Sequence, residues 1–144
     1  MNRLLPILFI AIMLFSCAEQ EQKINKSTSN KGKTLMAIFA HPDDEIVISP
    51  ILSKYQKEGV NIHLVIVTDG RNGITPHANI PAGDELAKTR AEEALCVTQT
   101  LGINPPIFLK YIDGDIALKE NINTLDEKID SLFINYKPNT VISF

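Results

Sequence analysis

The residues best equipped for chemistry stand together in Ala40-His41-Pro42-Asp43-Asp44-Glu45, which sets an imidazole and three carboxylates within one turn. His41 and Asp44 lie three apart around Pro42, which fixes its own φ and biases His41 towards an extended backbone. A tight turn of that kind can bring a ring nitrogen and a carboxylate oxygen to one point, a donor pair that suits zinc. Asp43 and Asp44 are adjacent, so in an irregular turn they need not point the same way. One can ligate a metal while the other serves as a base towards water that the metal activates. On spacing alone, a surface turn with carboxylates favoured by a helix macrodipole accounts for the same residues equally well.

The elements around this turn follow from periodicity. Thr34–Phe39 is an apolar run that reads as a short buried strand ending at the motif, and residues 46–58 read as largely helical. Pro50 is tolerated in the first turn of that helix, and Gly59 ends it. Residues 61–67 form a second strand, apolar and β-branched enough for a parallel sheet, with His63 inside it as a structural histidine. The loop that follows carries Asp69 and Arg71, which in a parallel sheet stand beside the His41 turn and can orient it or touch substrate. Residues up to Gly83 form a long loop, a candidate lid, in which His77 reads as an exposed histidine. Residues 84–101 are the clearest helix, capped by Asp84, stopped by Gly102, and holding Cys96 as a buried small hydrophobe. A third strand at 106–111 leads to Asp113-Gly114-Asp115, where turn chemistry accounts for both aspartates as well as a role at the site does. A helix at 121–136 places Ile122, Leu125, Ile129, Leu132 and Phe133 on a core-packing stripe, and residues 140–144 start a fourth strand.

Three motifs in order carry a family resemblance: Ala40–Glu45 after a strand, Val67-Thr68-Asp69-Gly70 after the next, and Arg90-Ala91-Glu92-Glu93-Ala94 on the long helix. Together they resemble the PIG-L/LmbE-like zinc-dependent N-deacetylases over residues 34–144. The resemblance implies an α/β, Rossmann-like three-layer fold with a mostly parallel sheet. It implies Zn2+ as cofactor, His41 and Asp44 as its ligands, and Asp43 as general base. It also implies Arg90 as a substrate-binding or site-ordering residue, while Asp69 is read as substrate-binding from its loop position beside the His41 turn. The reaction expected is removal of the N-acetyl group from an N-acetylglucosamine-type glycoconjugate. In the family a histidine after the fourth strand completes the zinc site. No residue follows Phe144 here, so the expectation is the N-terminal part of a longer protein, incomplete at the C-terminus.

Composition narrows the class. The 144 residues are one domain's worth, and a net charge of −3 supplies no basic footprint for nucleic acid. The two cysteines have no spacing that suggests a disulfide framework. Residues 1–17 read as a signal peptide: Arg3 is followed by a short apolar run, and Leu14-Phe15-Ser16-Cys17 resembles a bacterial lipobox with Cys17 as the lipidated residue. Residues 18–33 are polar and read as a flexible tether. The expectation is an exported lipoprotein anchored to a bacterial envelope membrane, on its periplasmic or cell-surface face. Two other readings stand against the enzyme: a non-catalytic carbohydrate-binding surface lipoprotein with an incomplete metal site, and a phospho-accepting domain. The second is disfavoured, because an exported protein has no access to cytoplasmic phosphodonors.

Overall fold

The computed structural model describes residues 30–144. The signal-peptide and lipidation expectations at 1–17, and the tether as far as residue 29, lie outside them. Residues 30–33 are held in a turn: Gly32 N–H donates to Gly59 O at 3.1 Å, and Asn30 Nδ2 donates to Glu58 Oε2 at 2.9 Å.

Four strands, β1 (Thr34–Phe39), β2 (Asn61–Thr68), β3 (Ile107–Tyr111) and β4 (Thr140–Ile142), form one sheet in the order β3-β2-β1-β4. Every pairing is parallel, as expected for apolar strands joined through helices. Three α-helices, α1 (Ser49–Lys57), α2 (Asp84–Leu101) and α3 (Lys119–Tyr136), make the crossovers. The order reverses at β1, the place in such sheets where ligands bind beyond the strand C-termini.

β1, β2 and β3 alternate between two cores. Leu35, Ala37 and Phe39 of β1 join Ile62, Leu64 and Ile66 of β2 against Leu52 of α1 and Ala94 of α2. Met36, Val65, Val67, Leu109 and Tyr111 face Leu125, Ile129 and Leu132 of α3 on the other side. Leu52 is completely buried, and burial of such a side chain contributes about 1.5–3 kcal/mol. His63 is buried on the α3 side, tilted against the Tyr136 ring at a centroid distance of 4.3 Å and 3.1 Å from Asn61 Nδ2 through Nε2, a structural position. Burial holds its pKa below the ordinary value.

Several local expectations give way. The helical stretch after the motif is two pieces, a 3-10 turn at Asp44–Val47 and then α1, with Pro50 in its first turn. Asp84 does not cap α2: Gly83 occupies the cap, and the Asp84 carboxylate lies 3.2 Å from Arg71 Nη1 instead. Cys96 is exposed, because the buried stripe of α2 runs through Leu86, Ala94 and Thr98 and leaves Cys96 half a turn away. On α3, Ile122 and Phe133 flank the packed stripe and remain exposed.

β3 carries an irregularity. Ile66 pairs with Phe108 but Thr68 pairs with Tyr111, so two residues on β3 oppose one on β2. Lys110, at this bulge, has φ of 62°.

Candidate active site

The motif turn leaves β1 at the sheet's C-terminal edge and is fastened to β2 at once. Ala40 O accepts both the backbone N–H and the Oγ1 hydroxyl of Thr68, each at 2.8 Å. Asp43 then adopts a left-handed conformation with φ of 95°, which sharply reverses the chain. Such a conformation in a non-glycine residue costs of the order of 1–3 kcal/mol and is held only by its surroundings. Glu45 provides one restraint: it is 3 % exposed, and its Oε2 accepts the Asp43 N–H at 3.1 Å. Its carboxylate therefore braces the turn.

The turn brings the two expected ligands together. Asp44 Oδ2 accepts the His41 backbone N–H at 2.9 Å and lies 3.6 Å from His41 Nδ1. That second distance is too long for a hydrogen bond. It is close to the separation, about 3.4 Å, of two donors sharing a tetrahedral zinc at bonds of about 2.0–2.2 Å. The pair thus fits as two ligands of one metal ion. Among the described residues, no group of three or more His, Cys, Asp or Glu side chains is arranged to hold a metal.

Asp43 lies beside the pair. Its carboxylate is gripped by Arg90 Nη1, and Arg90 Nη2 donates to Gly73 O at 2.9 Å. Arg90 is thereby tied to both the motif and the β2 loop, and the Asp43 side chain remains 58 % exposed to the cleft. The cleft measures about 230 Å³ and is lined by His41, Asp43, Asn72, Arg90 and Asp113 together with glycines of the loop.

Asp69 is placed differently. Its carboxylate accepts from Arg71 Nε at 2.8 Å, from the Arg71 N–H at 3.2 Å and from the Asp113 N–H at 3.2 Å. Burial opposes its charge, but these hydrogen bonds and the guanidinium outweigh it and hold the carboxyl below its ordinary pKa. Asp69 and Arg71 line a separate cavity of about 310 Å³ against Ala87, Ala91 and Phe108, behind the loop that walls the cleft. His77 is exposed on a 3-10 turn at Pro76–Ala78 and does not line the cleft. Asp113, which the sequence leaves open in an Asp-Gly-Asp turn after a strand, lines the cleft and reaches His41 Nε2 at 3.1 Å.

Residues 36–144 match the family profile of PIG-L, GlcNAc-PI de-N-acetylase. The chain belongs to the PIG-L family. It is 29 % identical over 106 residues to the uncharacterized deacetylase YaiS of Escherichia coli, covering 72 % of this chain and 52 % of that protein. It is 25 % identical over 136 residues to a 1D-myo-inositol 2-acetamido-2-deoxy-α-D-glucopyranoside deacetylase of Mycobacteroides abscessus, covering 78 % and 47 %. The chain therefore spans about half the length of these curated relatives. Among solved structures, the N,N'-diacetylchitobiose deacetylase of Pyrococcus horikoshii superposes with a TM-score of 0.67 at 24 % identity, over 76 % of this chain and 39 % of that one. A 4-carboxy-2-hydroxymuconate hydratase from Pseudomonas putida superposes at 0.62 and 20 % identity, over 76 % and 45 %. Likeness at this level shows the PIG-L chain's fold alone, and one fold hosts several chemistries.

Proposed function

We propose that this PIG-L protein hydrolyses the N-acetyl group of an N-acetylglucosamine-type glycoconjugate, with zinc held in part by His41 and Asp44 and with Asp43 as general base. The observation that carries this reading is the 3.6 Å spacing of His41 Nδ1 and Asp44 Oδ2 beside the cleft-facing carboxylate of Asp43. Zinc, when bound, supplies Lewis-acid polarisation of the acetyl carbonyl and lowers the pKa of a water towards about 7. Asp43 takes the proton as water oxygen bonds to the amide carbon. Arg90 holds one carboxylate oxygen of Asp43 and so fixes where the base points. The C–N bond then breaks and the amine nitrogen takes up a proton, giving acetate and the free amino sugar. Asp69, with its oxygens engaged, supports the loop that frames the substrate cleft. Export and anchoring through lipidated Cys17 belong to the same reading and rest on the sequence of residues 1–17.

A carbohydrate-binding lipoprotein without turnover competes, favoured by the two-donor set among the described residues. Acetate release from N,N'-diacetylchitobiose and N-acetylglucosaminides by the full protein separates the two. The enzyme loses release to a chelator, regains it with zinc, and falls about 100-fold or more in Asp43→Ala, the usual contribution of a general base. Sugar binding indifferent to chelator and without acetate release establishes the competitor. Full hydrolysis by Asp43→Ala refutes the role given to that residue.

A further inference from the structure

His41 faces a carboxylate at each ring nitrogen, and the two stand at different distances. Nε2 lies 3.1 Å from Asp113 Oδ1, within hydrogen-bonding range, whereas Nδ1 lies 3.6 Å from Asp44 Oδ2, outside it. A carboxylate only accepts, so Nε2 carries the hydrogen and donates to Asp113. In the neutral ring this leaves the Nδ1 lone pair towards Asp44, and the unprotonated nitrogen is the one that binds a metal.

Asp113 is itself held on several sides. Its Oδ2 accepts the Asn72 N–H at 3.2 Å, its carbonyl accepts Asn72 Nδ2 at 2.7 Å, and its own N–H donates to Asp69 Oδ1 at 3.2 Å. Asp69 is in turn clamped by Arg71. The Asp113 side chain is 16 % exposed, so little water competes for Oδ1. A chain of polar contacts thus runs from the β3 end through the β2 loop to the imidazole at the end of β1.

We infer that Asp113 is a positioning residue that holds His41 in the Nε2–H tautomer and turns its Nδ1 towards the point shared with Asp44. The use of this hold rests on the zinc reading above; the hydrogen bond does not. Removing a carboxylate of this kind typically weakens metal affinity 10–100-fold.

Two measurements on the full protein test the role: zinc affinity by competition with a chromogenic chelator, and imidazole nitrogen shifts of metal-free protein, followed with pH until they no longer change. The wild type gives His41 as the Nε2–H form, and Asp113→Ala gives a mixture of tautomers with zinc affinity reduced about 10–100-fold. Asp113→Asn, nearly isosteric and able to accept through one oxygen only, keeps the fold and falls between them. An Nδ1–H form in the wild type overturns the inference, as do His41 signals and zinc affinity unchanged in both variants. Absence of zinc uptake by the wild type removes the zinc reading instead, and the tautomer measurement then decides the hold of Asp113 on His41 by itself.

Discussion

Gly70→Ala is the substitution that reads most directly how the motif turn is supported. Gly70 has φ of +65°, and a Cβ there would stand 3.0 Å from Pro42 Cδ and 3.9 Å from Arg90 Cγ. The left-handed backbone costs an L-residue about 1–2 kcal/mol. Pressing a methyl against a ring that is fixed in the motif adds an overpacking cost of about 1–3 kcal/mol. The two share one loop and partly relieve each other, so the expected loss is about 2–3 kcal/mol. Gly32→Ala is the control, because Gly32 has φ of +80° with nothing within 4 Å of the added Cβ. It carries the backbone cost alone, about 1–2 kcal/mol. Urea unfolding of both variants measures the difference, and zinc titration reports the turn. Gly70→Ala should be the less stable and should bind zinc more weakly, since Pro42 separates His41 from Asp43. Equal destabilisation by the two alanines, with zinc binding intact in both, would refute the claim that the β2 loop buttresses the motif.

Two further predictions follow from strain and burial. Asp43→Gly removes the left-handed strain and should be more stable than Asp43→Ala by about 1 kcal/mol in denaturant, although both should lose the proposed hydrolysis. His63 has a folded-state pKa below its ordinary 6.5, so the unfolded chain takes up a proton first as the pH falls. The stability this site contributes is therefore complete above the unfolded pKa and declines as the pH drops from there towards the folded value. His63→Phe should flatten that part of the stability–pH curve in chemical unfolding.

The strand and helix sequence was legible because Thr34–Phe39 and Asn61–Thr68 are short apolar runs and α2 is long, free of internal Gly and Pro, and bounded by Gly83 and Gly102. The His41, Asp43 and Asp44 cluster was legible because it is local: one turn contains all three. Asp113 was not, since it meets His41 across 72 residues through a strand order and a bulge that no local pattern displays. Asp84 was misread for a related reason. Its residue type suits a helix cap, but Gly83 takes the cap position and the exposed Asp84 carboxylate lies beside Arg71 instead. Cys96 shows the limit of composition, since its neighbours Leu95 and Val97 are apolar although the buried stripe passes elsewhere.

The bulge at Lys110 gives this site an unusual sensitivity to length. Strand side chains alternate, so deleting one residue there would turn Tyr111 to the opposite face and draw the following loop back by about 3.3 Å. Phe108 and everything before it could keep its pairing with β2, and the two hydrophobic cores would lose little beyond Tyr111. Asp113, which follows the bulge, would be withdrawn from His41. A single codon therefore separates a chain that holds its imidazole against Asp113 from one that keeps the scaffold without that contact, and this change would leave every residue of the Ala40–Glu45 motif in place.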